Sequence, residues 1–301
     1  GFEMAYQFWV AFGLEKGAEL AHLLGESSTE RKWKDNAEKI KRAFLTDPKY
    51  QLIEDGHLIK RRTIDGRWQR TATPADRKRM PAGSQLATAE QPTVDPDTVE
   101  AFPIVYEMID PRGVLATKTL DWIDTLWGQM WDGGGYPRYN ATSEDNPPAP
   151  WPLASAMVAR AHMEAGHDDK VWRVLNWLSS VQGGKSGSWF ERLGQSITPP
   201  MPPVGVVGWI WYEIIALFVQ HVAGVRPGIN RLVVRPRLLN GLNSLSSSHI
   251  IRGTRVEVKI AKGEKSAAVV DGRVMPFENG ELVLPYSKKK LLRIEITLKA
   301  S

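Results

Sequence analysis

Residues 151–182 read WPLASAMVARAHMEAGHDDKVWRVLNWLSSVQ, and this stretch decides the fold. Apolar side chains recur at helical spacing on both sides of Gly166, which reads as a stop. The second half carries Val171, Val174, Leu178 and Val181, a single helical stripe. Helices over 151–166 and 168–182 joined by so short a turn make an αα-hairpin.

The same pattern extends upstream. Residues 4–24 predict a helix with Phe8, Phe12, Leu20 and Leu23 on its apolar side and Gly25 beyond its end. Residues 29–45 predict its partner, with Trp33, Ala37, Ile40 and Phe44 in one stripe and Ser28 or Thr29 as N-cap. A polar connection broken by Pro48, Pro74, Pro81 and Pro92 follows over 46–95. Further helices are expected over 97–109 and 114–130, separated by the turn Asp110-Pro111-Arg112-Gly113. Loops rich in Gly and Pro span 131–150 and 183–203. An apolar helix over 204–223 closes the series at Gly224. It carries Glu213, Gln220 and His221 and is interrupted at Gly205 and Gly208, which suits a buried helix better than a membrane span.

After Pro227 the period changes to two. Leu232–Val234, Val256–Ile260, Ala267–Val270, Leu282–Leu284 and Ile294–Ile296 read as short strands, with Asp271-Gly272 and Asn279-Gly280 as hairpin turns. The expected organisation is a helical-hairpin domain over 1–227 and a small antiparallel β-domain over 228–301.

Composition narrows the function. The chain has 301 residues, 42% of them hydrophobic and 24% charged, as in a soluble globular protein. The net charge of +5 is dispersed, and the runs Arg77–Arg79 and Lys288–Lys290 read as solvated surface, so neither nucleic acid nor a membrane is an expected partner. There is no Cys, hence no disulfide and no thiolate metal site, and this suits any compartment. The six His show no metal-site spacing, and no phosphate-cradling Gly loop or nucleophile elbow occurs, so no metal or cofactor is implied. The 12 Trp are many for this length; most belong in a core, and their faces also suit stacking against sugar rings.

What remains is carboxylates in aromatic loops. Glycoside hydrolysis needs two, one to protonate the leaving oxygen and one to act as base or nucleophile. Glu191 in Gly187-Ser188-Trp189-Phe190-Glu191-Arg192 is the first candidate: two aromatics lower local hydration, and the adjacent guanidinium favours the carboxylate form that a base requires. A surface Glu paired with Arg192 reads the same way. The second region is Gly133-Gly134-Gly135-Tyr136-Pro137-Arg138-Tyr139, with Trp131 before it and Pro150-Trp151 after it. Its glycines suit close approach of backbone to a ligand, and Arg and Tyr suit hydrogen bonds to hydroxyls; a stiff connecting loop is the alternative. Trp209 and Trp211 read as core residues of the last helix.

These residues resemble those of the six-hairpin (α/α toroid) glycosidases. Gly134–Tyr139, followed by Pro150-Trp151-Pro152 and a helix ending Glu164-Ala165-Gly166, is similar to the sugar-lining loop of glucoamylase-like enzymes. Trp189-Phe190-Glu191-Arg192 resembles the Trp-Glu-Arg motif that carries the base of α-L-rhamnosidases, with Phe190 inserted. Gly224–Pro227 and Leu232–Leu238 resemble the passage into the C-terminal β-domain of rhamnosidases and sugar phosphorylases. The resemblance implies the C-terminal half of a toroid followed by a β-sandwich, and an inverting glycoside hydrolase with Glu191 as general base. Arg138, Tyr139, Trp151, Trp189, Arg192 and Trp131 would hold a carbohydrate substrate. It places the general acid just before the first hairpin; Glu3 lies near that place without the aromatic context, so the acid is expected on a preceding segment or a second chain that completes the ring. Phosphorolysis and non-catalytic sugar binding are the alternatives.

Overall fold

The computed structural model describes residues 1–70, 95–128, 133–138, 150–181, 183–191, 193 and 208–299. Two compact units divide the chain, Gly1–Trp211 and Tyr212–Ser301.

The first unit is mostly helical. Helices α1 (Met4–Leu23) and α2 (Ser27–Thr46) form the first hairpin. Leu24 caps α1 and Gly25, at φ +77°, turns the chain. Gly17 brings the helices close: a Cβ there would lie 2.9 Å from the Trp33 ring. The buried face of α1 is Met4, Phe8, Ala11, Ala18 and Ala21, whereas the expected Leu20 and Leu23 are exposed. This helix is apolar on more than one face, so composition alone does not say which face turns inward. Neither Ser28 nor Thr29 caps α2; Glu26 stands at that position without a side-chain bond.

The connection after α2 is not featureless. Strands β2 (Ile53–Glu54) and β3 (His57–Leu58) form a small hairpin around Asp55-Gly56, and β4 (Arg61–Arg62) pairs antiparallel with β1 (Phe2–Glu3), setting Glu3 directly opposite Arg61. The helix expected over 97–109 is a 3-10 turn, Thr98–Ala101, leading into the single turn α3 (Phe102–Val105). Asp97 and Glu100 close a reciprocal capping box there. Helix α4 (Val114–Asp124) stops short of residue 130. Helices α5 (Pro152–Ala165) and α6 (Asp168–Ser180) form the second hairpin, and Gly166 at φ +96° closes α5. Pro152 and Ala154 through Met163 are buried, so α5 is a central helix. The last helix, α7 (Gly208–Ile215), continues as a π-helical segment over Ala216–Val222. No described helix is long and apolar enough to cross a membrane.

The second unit contains the strands β5 (Val225–Pro227), β6 (Arg231–Val234), β7 (Ser244–Ile251), β8 (Thr254–Gly263), β9 (Ala267–Val270), β10 (Arg273–Met275), β11 (Leu282–Pro285) and β12 (Leu291–Lys299). They form a five-stranded sheet in the order β10-β9-β12-β8-β7 and a three-stranded sheet β11-β6-β5. Alternate residues of both sheets, among them Val256, Val258, Ile260, Ile294, Ile296, Val234 and Leu282, enter one apolar cluster. Asp271-Gly272 and Asn279-Gly280 turn at positive φ as the sequence requires, and Arg252-Gly253 makes a further such turn between β7 and β8. The expectation of a purely antiparallel domain is corrected at one pair: β12 runs parallel to β8, Leu291 opposite Arg255. Alternation reveals which face of a strand is buried but not its neighbour or its direction. The π-helical end belongs with this unit because Val219 and Ala223 pack against its cluster.

Candidate functional site

A pocket of about 340 Å³ opens in the first unit, within the range of about 300–1,000 Å³ usual for small-molecule sites. Its walls bring together Tyr6 and Trp9 from α1, Phe102 from α3, Trp151 at the head of α5, Trp209 from α7, and the polar residues Glu3, Thr98 and Arg138.

Each wall has a local cause. Residues 136–138 and 150–151 run side by side: Trp151 N–H donates to Tyr136 O at 2.8 Å and Pro137 bridges to Pro150. Arg138 therefore lies beside Trp151, its guanidinium carbon 5.9 Å from the ring centroid. Thr98 closes the floor by donating to Arg138 O from its backbone N–H at 2.8 Å and from its hydroxyl at 3.0 Å. Trp9 packs edge-on against Phe102, with ring centroids 4.9 Å apart, so its ring is fixed before any ligand arrives.

The glycines before Tyr136 serve packing. Gly134 and Gly135 adopt φ near +90°, and a Cβ at Gly135 would lie 2.4 Å from the Trp177 ring. Backbone presses on Trp127 and Trp177 there, not on a ligand surface, which corrects the reading of this run as a ligand approach.

Two buried polar clusters stiffen the unit around the pocket. In the first, Asp124 is a hub. Arg173 donates to its Oδ1 at 2.8 Å, Lys170 lies 2.7 Å from Oδ2, Tyr136 donates its hydroxyl, and His162 Nε2 lies 3.2 Å away. Burial alone would raise the pKa of Asp124, but the bonds and charges of His162, Lys170 and Tyr136 overcome it and hold the carboxyl well below the ordinary range. Burial lowers the pKa of His162, whose Nδ1 lies 3.1 Å from His167 Nδ1. Burial and the Asp124 charge raise the Tyr136 hydroxyl well above its usual pKa. Tyr136 N–H donates to Ser155 Oγ at 2.9 Å, tying the loop to α5.

The second cluster holds Asp95, Asp97 and Glu100, all fully buried. Lys60 N–H donates to Asp95 Oδ1 at 2.7 Å, Trp68 Nε1–H donates to Asp95 Oδ2 at 2.5 Å, and Lys60 Nζ lies 2.8 Å from Asp97 Oδ2. Burial first, then the charges of Asp95 and Asp97, raise the pKa of Glu100 well above its ordinary value. Among the described residues, no group of three or more His, Asp or Glu side chains is arranged to hold a metal ion.

Of the residues singled out from the sequence, Arg138 and Trp151 share the pocket. Trp189 is not among its lining residues: its Nε1–H donates to Leu178 O at 2.8 Å and anchors the 183–191 loop to the end of α6. Glu191 is partly buried and is not among the pocket's lining residues either; Leu193 N–H donates to Pro150 O at 3.0 Å. Tyr139, Arg192 and Trp131 lie outside the described residues. Trp209 and Trp211 are not core; they are 51% and 46% exposed, and Trp209 lines the pocket. Tyr6 and Trp9 were missed because the helical pattern of α1 has apolar residues on more than one face. Their signal was that excess: two aromatics on the side of α1 away from Ala11 and Ala18.

No family model matches the chain, and no curated protein matches it. Solved structures do. A sialidase matches with a TM-score of 0.51 and 11% identity, over 82% of this chain and 22% of its own. A structure described as wild-type glycosidase matches with a TM-score of 0.48 and 16% identity, over 71% of this chain and 51% of its own. The chain thus spans about half the length of that glycosidase, and the likeness to the sialidase, at 11% identity, is one of fold.

Proposed function

We propose that the chain is part of a glycoside hydrolase, its helical hairpins belonging to an α/α toroid and its strands to a β-sandwich. The observation that carries this reading is the pocket itself, in which Trp9, Trp151 and Trp209 present aromatic surface beside one carboxylate and one guanidinium. Pyranose rings offer apolar C–H faces and a rim of hydroxyls, and such a lining suits both. The sialidase that shares the fold acts on glycosides by its name, which supports the same class.

In this reading Glu191 is the general base. Its carboxylate takes a proton from a water on the face of the sugar opposite the leaving group; the water oxygen bonds to the anomeric carbon as the glycosidic C–O bond breaks; a second carboxyl group protonates the leaving oxygen, with inversion at the anomeric carbon. Arg138 and Trp151 hold the sugar, with Tyr139, Trp131 and Arg192 as further candidates from the sequence, while Trp189 anchors the loop of Glu191 to α6.

The test is Glu191→Gln in the intact protein, assayed on aryl glycosides and oligosaccharides without added phosphate. Loss of kcat by about a hundredfold or more is the expected result. Retention of most of kcat sinks the assignment. Proton NMR of the first product anomer checks inversion.

A further inference from the structure

Glu3 lines the pocket with Trp9, Trp151 and Arg138, and its carboxylate is held in an asymmetric way. It stands opposite Arg61 in the β1–β4 pair. Arg61 reaches one of its oxygens twice, Nη2 to Oε2 at 2.8 Å and Nε to Oε2 at 3.1 Å. Among the described residues, the other oxygen, Oε1, carries no hydrogen bond. The side chain is 17% exposed and lines the pocket. One oxygen is thus clamped by a guanidinium, which fixes the carboxylate's orientation and its charge, and the second is left to accept from whatever enters.

We propose that Glu3 is a substrate-contacting, specificity-determining residue that selects neutral or amino hexoses over uronic acids. This rests on the carbohydrate reading of the pocket. The chemistry follows from the oxygen count. A carboxylate with a free lone-pair face accepts from sugar hydroxyls or an ammonium group and repels a sugar carboxylate. The clamp on Oε2 leaves Oε1 available as an acceptor. Arg138 also lines the pocket and would attract a carboxylate, which acts against this preference, so the comparison with Glu3→Gln is what isolates the contribution of Glu3.

Three of the pocket's residues are tryptophans, so intrinsic fluorescence reports occupancy. The experiment titrates the protein at neutral pH with methyl glucoside, glucosamine and glucuronate. Glucuronate is expected to bind about tenfold more weakly than methyl glucoside or worse. Glu3→Gln removes most of that difference, chiefly by improving glucuronate binding. Equal discrimination in Glu3→Gln overturns the proposal, as does wild-type binding of glucuronate as tight as that of methyl glucoside. Salt gives a check that needs no variant: repulsion is screened, so the methyl glucoside to glucuronate ratio shrinks as salt rises, and a ratio indifferent to salt also overturns it. Saturable binding of all three sugars alike defeats the role of Glu3 and leaves the carbohydrate reading standing. No quenching by any sugar, with Trp151→Ala equally silent, defeats both.

Discussion

Two buried carboxylate clusters stiffen the helical unit, and they are held by opposite means. Asp124 is one carboxylate among many donors: Arg173, Lys170, His162 and the Tyr136 hydroxyl converge on two oxygens. Asp95, Asp97 and Glu100 are three carboxylates packed together, with donors from Lys60, the Trp68 indole and the backbone N–H groups of Asp97 and Val99. A buried charge needs compensation, and the comparison shows the two ways of supplying it. Donors hold the pKa of Asp124 well below the ordinary range, and burial beside two other carboxylates pushes that of Glu100 well above it. The first cluster fixes the loop that carries Arg138; the second fixes Lys60 and the 3-10 turn, and with them the β1–β4 pair and the pocket floor.

The sharpest way to break this contrast is Asp124→Ala. It strands several donors in a part-buried site, and unfolding in urea should register a loss of about 2 kcal/mol. A loss no greater than that of an ordinary surface change would remove Asp124 as a hub. Acid makes the same point without mutation. The folded pKa of Asp124 lies below its unfolded value, so its stabilisation is full above the ordinary aspartate range and is lost as pH falls through the folded value. Urea midpoints of the wild type should therefore fall in acid, with a shallower fall in Asp124→Ala.

Tyr136→Phe removes one donor of the hub and leaves its ring packing intact. Thermal unfolding should show a cost of about 1–1.5 kcal/mol, and a neutral result would mean that the other three donors suffice.

Glu100→Gln should matter least, within about 1 kcal/mol, because an amide keeps the side chain's shape and removes a charge that burial disfavours. Here the sign is reversed. The folded pKa of Glu100 is raised, so its contribution is full below the ordinary glutamate range and is lost as pH rises through the folded value. Midpoints measured as pH rises above the ordinary glutamate range should decline less steeply in the variant than in the wild type. A large loss at neutral pH would show that Glu100 is held as a charge after all, and the contrast would collapse.

Much of this molecule was legible in its sequence. Gly25 and Gly166 end helices as their positions suggest, Asp271-Gly272 and Asn279-Gly280 turn hairpins, and Arg138 and Trp151 meet at the pocket. The Asp55-Gly56 hairpin was equally legible and lay hidden in a stretch read as loop. Glu3 was not legible as a pocket residue, because its neighbours Arg61, Thr98 and Trp151 are distant in the chain.

Local sequence determined what each segment becomes, since helix period, strand period and the positive φ of a Gly are set by residues a few positions apart. Which side of α1 faces inward, that β12 lies parallel to β8, and that Trp9, Trp151 and Trp209 share one cavity with Glu3 were decided only by the tertiary structure. Those outcomes depend on packing between segments far apart in the chain, and burial rewards total apolar contact without recording in any one segment which partner will supply it.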